Sequence, residues 1–215
     1  MILLYYKPCN SQNIYFNKTY DFFGNPEGAS NVVPVDSGYL IVGFIRDSLN
    51  YRAVGILFID TMGNEIWKKD YGIPGNNVYP GLAGSFVPTS DGGFALGGNV
   101  AYSNGDSDVM LWRFDSSGDT LWTKIYIDTS NLAVAYNCTQ TRDGGFVLAG
   151  YSDEFPSNTM LMKTDSVGIA EWTQFYNGFG AVSVDTCYDG GYILGASNAA
   201  NNNGYVIKTD SAGNM

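Results

Sequence analysis

The sequence predicts an all-β protein of the β-propeller class, with four repeats of four antiparallel strands. Three recurring features carry this prediction: a DGG-type turn, a D-x-x-G turn and a strand with two spaced aromatic residues. Copies of each turn follow one another at spacings of 45 to 55 residues, which is the length of a four-stranded blade. A single sheet cannot bury both of its faces, so we expect neighbouring repeats to stack.

The DGG-type turn lies between the first two strands of each repeat, as in TSDGGFALGG over 89–98. Glycine adopts positive φ without steric cost, so D-G-G between two apolar runs is typical of a β-hairpin. We therefore predict that its aspartates hold the turn rather than catalyse a reaction. They are Asp36, Asp91, Asp143 and Asp189.

The D-x-x-G turn joins the third and fourth strands of each repeat. An aspartate at its start can accept hydrogen bonds from the turn backbone, and the glycine closes the turn. A structural role is again predicted for these carboxylates, which belong to Asp60, Asp115, Asp165 and Asp210.

The aromatic strand follows the D-x-x-G turn and reads EIWKKDY, TLWTKIY and AEWTQFY in three repeats. Trp67, Trp122 and Trp172 each precede a tyrosine by four residues, so both rings share one face of the strand. Packing between neighbouring sheets is the expected role of these rings. The N-terminal IYFNKTY, residues 14–20, fits the same frame with Phe16 in place of tryptophan.

The repeats predict four consecutive blades along the chain, preceded by an N-terminal tail. Residues 1–13 are interpreted as a tail or the remnant of a signal peptide, and residues 14–215 as propeller repeats. Residues 14–21 form a strand without a blade of its own, which would close a ring if it completed the last blade. Otherwise the chain is a fragment of a larger propeller, which is our expectation. The predicted blades span approximately 31–72, 84–127, 134–177 and 181–210.

Composition and charge exclude several classes of function. The formal net charge of −10 disfavours nucleic acid and anionic membrane surfaces as partners. Because the chain has no histidine, histidine-activated nucleophiles and histidine-ligated zinc are excluded. No segment approaches the roughly 18 apolar residues of a membrane-spanning helix, so no membrane insertion is expected.

The combined pattern DGG-[FY]-x-L-x-G followed by D-x-x-G-x-x-x-W-x-K-x-Y resembles the propeller repeats of secreted Bacteroidota proteins. The resemblance covers roughly residues 14–215 and implies a secreted or cell-surface location, on the extracellular side of the outer membrane. Such proteins often leave the cell by type IX secretion. DSSGDTLW, residues 115–122, is also loosely similar to the tryptophan-docking turn of quinoprotein propellers. That turn usually has one more residue between Asp and Gly, so no active site is carried over.

Candidate binding residues lie at the end of the repeats opposite to the two turns. Antiparallel strands alternate their connections between two ends, so the variable connections share one face. Residues of this face that suit a ligand are Asn77, Tyr79, Tyr102 and Glu154. The densest oxygen-ligand group is a candidate calcium site, and no other cofactor is expected. It consists of Asn104, Asp106 and Asp108.

These observations favour a non-catalytic, secreted or cell-surface propeller that serves as a scaffold or binds a protein or glycan. One alternative is a propeller enzyme, either a carboxylate-based glycosidase or a quinoprotein-like oxidoreductase, whose site missing blades would complete. Another is a spacer that holds a distant domain away from the cell surface. Nothing in the spacing selects a catalytic pair of carboxylates, so no catalytic residue is assigned.

Overall fold

The computed structural model describes residues 15–25, 27–126, 132–153, 159–178, 180–198 and 203–215. All regular structure in these ranges is β-strand, organised in four antiparallel sheets, which confirms the predicted all-β class and its repeated sheets. Within the same ranges, no helix has the length and apolar character needed to cross a bilayer.

The first two sheets follow one another along the chain. The first contains β1 (Gly28–Val35), β2 (Gly38–Arg46), β3 (Arg52–Asp60) and β4 (Glu65–Tyr71), in that order. The second contains β5 (Asn77–Pro80), β6 (Phe86–Pro88), β7 (Phe94–Ala101), β8 (Ser107–Phe114) and β9 (Thr120–Tyr126). Both β5 and β6 pair with β7, so together they form one interrupted first strand.

The last two sheets repeat this plan, but the fourth has three strands. The third sheet contains β10 (Ala133–Gln140), β11 (Phe146–Ser152), β12 (Thr159–Thr164) and β13 (Ala170–Tyr176). The fourth contains β14 (Ala181–Thr186), β15 (Tyr192–Asn198) and β16 (Asn203–Thr209). The strand β16 is therefore an edge strand of its sheet.

The second sheet begins at Asn77 rather than at the predicted residue 84, because its first strand is split. Over residues 81–85 the chain leaves the ladder, while hydrogen bonds of 2.9 Å from Gly81 N to Gly97 O and from Gly97 N to Ser85 O keep the register. A Cβ on Gly81 would lie 2.6 Å from the Tyr136 carbonyl oxygen, so glycine is required at this close approach. The first strands of the other sheets carry smaller bulges at the same level.

The sheets are arranged as consecutive blades of a propeller. Their first strands approach one another, with β6 between β1 and β10, and β10 packed on β14. The extensive contacts between sheets of the described chain join sheets that are consecutive in sequence. The first strands therefore line the inner side of the array, and the fourth strands lie at its outer rim.

Apolar layers between consecutive sheets form the core. Leu40 and Ile56 of the first sheet pack against Phe94, Met110 and Phe114 of the second. Equivalent layers join the second sheet to the third and the third to the fourth. Every residue of β8 is buried, because this central strand is covered on both faces by neighbouring sheets.

Each aromatic strand docks on the D-x-x-G turn of the next sheet. This agrees with the prediction that its aromatic rings pack between neighbouring sheets. Tyr126 Oη donates to Gly168 O at 3.0 Å, and a Cβ on Gly168 would lie 2.8 Å from Trp122 Cζ3. Since Gly168 also has a φ of +78°, both space and backbone demand glycine there. The same pair of contacts joins Tyr71 and Trp67 to Gly118, and Tyr176 and Trp172 to Gly213.

The N-terminal segment 15–25 lies against the first sheet in the position of a preceding aromatic strand. Tyr20 Oη donates to Gly63 O at 2.8 Å, and a Cβ on Gly63 would lie 2.7 Å from Phe16 Cδ2. Residues 15–20 carry no strand pairing, so closure of a ring by residues 14–21 stays a prediction. The predicted tail, residues 1–13, lies outside the described ranges.

Candidate functional site

The two ends of the sheets carry different kinds of connection. The turn face carries the DGG-type and D-x-x-G connections, at residues 36–37, 61–64, 89–93, 115–119, 141–145, 165–169, 187–191 and 210–214. The loop face, at the opposite end, carries the hairpin connections 47–51 and 102–106 and the connection 72–76 between the first two sheets. The recurring turns and the variable connections therefore lie at opposite ends of the sheets.

The D-x-x-G aspartates of the turn face are used to hold their turns. Asp115 Oδ1 accepts from Ser117 N at 2.8 Å and from Asp119 N at 2.9 Å. The same two bonds form at Asp60, Asp165 and Asp210. The predicted structural role of these four carboxylates is confirmed.

Two DGG aspartates are paired with buried cations from the third strand of their own sheets. Arg113, whose side chain is 6% exposed, contacts both carboxylate oxygens of Asp91 at 2.7 and 2.6 Å. Its Nη1 also donates to the carbonyl oxygens of Phe94 and Phe114. A buried guanidinium with this set of acceptors ties the DGG turn to the centre of the sheet.

Lys163 takes the place of Arg113 in the third sheet. Its Nζ lies 3.0 Å from Asp143 Oδ2 and 3.0 Å from Glu171 Oε2, and it donates to Thr164 O at 2.8 Å. Lys208 pairs with Asp189 at 2.7 Å in the fourth sheet, where both side chains are exposed. In the first sheet Phe58 stands at the equivalent position, opposite Trp67.

Hydrogen bonding lowers the pKa of the two aspartates that are paired with buried cations. A bond from Thr89, with further bonds from Gly93 and Arg113, lowers the pKa of Asp91 to about 2 against the effect of burial. For Asp143, burial opposes the shift, but bonds from Thr141, Lys163 and Gly145 lower the pKa to about 2. Each ionised carboxylate therefore stabilises the folded chain.

We expect Asp91 and Asp143 to contribute to a loss of stability in acid. Because the folded-state pKa values lie below the unfolded value near 3.8, the contribution is complete above about pH 4 and is lost as the pH falls towards 2. Both carboxylates are more than half exposed, so solvent screening reduces each contribution to on the order of 1 kcal/mol. Urea unfolding followed by tryptophan fluorescence at several pH values measures it.

The control is the double variant Asp91→Asn/Asp143→Asn. It should unfold more easily than the natural chain at pH 6, and the difference should disappear near pH 2. A difference that is the same at both pH values would contradict the assignment of the acid sensitivity to this pair.

The predicted calcium group lies on the loop face, where its oxygens are engaged within the hairpin. Asn104 Nδ2 donates to Asp106 Oδ2 at 2.6 Å, and Tyr102 Oη donates to Asp108 Oδ2 at 2.8 Å. Burial and the Asp108 bond raise the pKa of Tyr102 to about 12. Among the described residues, no three His, Cys, Asp or Glu side chains form a group that could hold a metal ion. Calcium binding here stays a prediction.

Two other predicted ligand residues meet at the junction of the first and second sheets. Asn77 Oδ1 accepts from Arg52 N at 2.9 Å, and the Arg52 guanidinium carbon lies 5.0 Å from the Tyr79 ring centroid. Glu154, the remaining predicted residue, lies outside the described ranges. The structure thus brings Asn77 and Tyr79 together and places Tyr102 separately, on the hairpin between β7 and β8.

The basic side chains that matter at the two faces were not identified from the sequence. A signal for the turn-face group was present, because Arg113, Lys163 and Lys208 each stand two residues before a D-x-x-G aspartate. No comparable signal marks Arg52, whose ring contacts come from Phe44 of its own sheet and Tyr79 of the next.

Comparison with known proteins gives distant structural similarity without a sequence match. The sequence matches no protein-family model and no curated protein. The structure is similar to a protein of unknown function from Bacteroides caccae, with a TM-score of 0.48 and 9% identity over 88% of this chain and 80% of that chain. It is also similar to the WD40 β-propeller domain of Doa1, with a TM-score of 0.36 and 11% identity over 89% of this chain and 96% of that domain. Both scores are below 0.5, so the description of the sheets rests on their own strand pairing.

Proposed function

We propose that this chain is a non-catalytic propeller module that serves as a scaffold and presents its loop face to a protein or glycan partner. The observation that carries the proposal is the use of the recurring carboxylates. Asp91 and Asp143 are held by buried cations, and the D-x-x-G aspartates hold backbone turns. Residues that vary from repeat to repeat are left at the loop face, where a rigid scaffold commonly displays binding groups.

A secreted or cell-surface location is part of the same proposal. Its support is the resemblance of the DGG-[FY] and D-x-x-G-x-x-x-W repeats to those of secreted Bacteroidota proteins, together with the net charge of −10. Type IX secretion is proposed on the resemblance alone. Fractionation of cells that express the natural gene, followed by protease treatment of intact cells, would test the location.

The binding role predicts retention of a ligand without its conversion. The purified chain is incubated with a panel of glycans, and the amount of each glycan that it retains is measured. Mass spectrometry of the retained glycans then shows whether they have been chemically altered. Tyr79→Ala, in β5 near the loop face, should weaken retention at least fivefold. Tyr188→Ala is the matched control, because Tyr188 is 98% exposed on the turn face. Formation of a hydrolysed or oxidised product, or loss of retention in the control alone, would overturn the proposal.

A further inference from the structure

Two arginines stand opposite each other at the loop-face end of the first sheet. Arg46 of β2 and Arg52 of β3 are register partners across the antiparallel pair, and both are half-buried. Side chains of directly opposed residues project to the same face of a sheet with Cβ atoms about 5 Å apart. Like charges in this arrangement repel, so an anion between them would be stabilised.

Neither arginine is neutralised by a carboxylate in the part of the chain that the structure describes. Arg46 Nη1 donates to Asn50 O at 2.9 Å and to Asn50 Oδ1 at 3.3 Å. The ion pairs formed by the described residues instead engage Lys68, Lys69, Arg113, Lys163 and Lys208. This arrangement is unexpected in a chain with 21 acidic and 11 basic residues.

Aromatic rings hold the Arg52 side chain in place. Its guanidinium carbon lies 5.0 Å from the ring centroid of Phe44 in the first sheet and 5.0 Å from that of Tyr79 in the second. A guanidinium stacked on rings is fixed in orientation, while its in-plane N–H donors stay available. The described residues accept no hydrogen bond from the Arg52 side chain. Its forked pair of N–H donors can therefore bind both oxygens of a planar acceptor such as a carboxylate.

We propose that Arg52, assisted by Arg46, binds the carboxylate of an acidic saccharide such as a uronic acid. A saccharide fits because the chain carries a net charge of −10, which repels a multiply charged acidic protein more than a sugar with one carboxylate. Asn77 supplies a neighbouring polar group: its Nδ2 has no partner among the described residues, while its Oδ1 fixes the backbone of Arg52. The ligand class deepens the proposed function and rests on its loop-face binding role.

Calorimetric titration of the full chain tests the proposal. The probe is a disaccharide that carries one uronic acid, and its control is the same disaccharide with the carboxyl group reduced to a primary alcohol. We expect the acidic form to bind and the reduced form to bind at least tenfold more weakly. This comparison needs no variant, so it is independent of any effect of substitution on folding.

Variants locate the site. Arg52→Gln should raise the Kd of the acidic disaccharide at least tenfold, and Arg52→Lys should raise it less, because lysine keeps the charge but loses the fork. Arg142→Gln is the matched control. Arg142 is exposed on the turn face, 6.0 Å from the Tyr188 ring, and its loss should leave the Kd unchanged.

Three outcomes would overturn the proposal. They are equal affinity for the acidic and reduced disaccharides, no change of Kd in Arg52→Gln, and binding of an acidic peptide in the absence of saccharide binding. In the first two cases a saccharide is still bound, so only the role of Arg52 and of the ligand carboxylate fails. If instead the glycan panel described above retains nothing, the glycan-binding part of the proposed function fails as well.

Discussion

Replacing Trp122 by alanine is expected to lower the free energy of unfolding by about 3 kcal/mol, near the lower end of the range for tryptophan truncation. Trp122 is partly buried between the second and third sheets, 6.1 Å from the Phe146 ring and against Gly168. Its loss removes the aromatic contact and leaves a gap beside the turn. For a chain of this size the melting temperature should fall by roughly 6–12 °C.

Two variants of the same strand serve as controls for Trp122→Ala. Leu121→Ala, in which a side chain that is 54% exposed is truncated, should change the free energy of unfolding by less than about 0.5 kcal/mol. Tyr126→Phe removes only the hydroxyl that donates to Gly168 O and should cost about 1 kcal/mol. Urea unfolding measures all three. A loss of less than 1 kcal/mol in Trp122→Ala would show that the ring does not join the sheets.

Replacing Arg113 by methionine is expected to destabilise the chain by about 2–4 kcal/mol. The change keeps much of the buried volume, but Asp91 loses its cation and the carbonyl oxygens of Phe94 and Phe114 lose a donor. The guanidinium also lies 5.9 Å from the Phe146 ring of the third sheet, so its removal weakens contact between sheets. Thermal and urea unfolding provide the measurement.

The third sheet indicates which substitutions should restore the stability that is lost in Arg113→Met. Lys163 works there because Glu171 provides a second carboxylate, whereas Leu121 stands at the equivalent position of the second sheet. Arg113→Lys alone should recover only part of the stability lost in Arg113→Met. Arg113→Lys combined with Leu121→Glu should recover more, with a coupling of at least about 0.5 kcal/mol between the two substitutions. Strict additivity would show that the two positions do not interact.

The sequence allowed the repeat plan to be predicted because each repeat marks its turns with glycine and three repeats mark the outer strand with tryptophan. Trp67 and Tyr71 stand four residues apart, so both rings project from the same face of β4. The split between β5 and β6 was missed, because Pro80 and the following glycines indicate an interruption but not the resumption of the ladder at Phe86. Its position depends on hydrogen bonds to β7, which lies later in the chain.

The candidate sites were harder to predict than the repeat plan, because they are formed by contacts between residues that are distant in sequence. Asn77 and Tyr79 were predicted on a variable loop, whereas the structure places both in β5, just after the loop-face connection 72–76. Their common neighbour, Arg52, is 25 residues from Asn77 along the chain, and no local pattern joins them. Arg113 did have a signal, since a basic residue stands two positions before the D-x-x-G aspartate in three repeats, but its partner Asp91 lies 22 residues away and could not be predicted from this spacing.

The docking of each aromatic strand on the following turn gives the chain a direction during its synthesis. A ring such as Trp122 has no glycine to cover until Gly168 has left the ribosome, at about 5–20 residues per second. Each newly made sheet therefore waits several seconds with the aromatic face of its outer strand uncovered. Within the described chain, the edge of that strand stays unpaired even after docking. On β4, Lys68 and Lys69 place charge on this edge strand, which discourages pairing with a neighbouring chain.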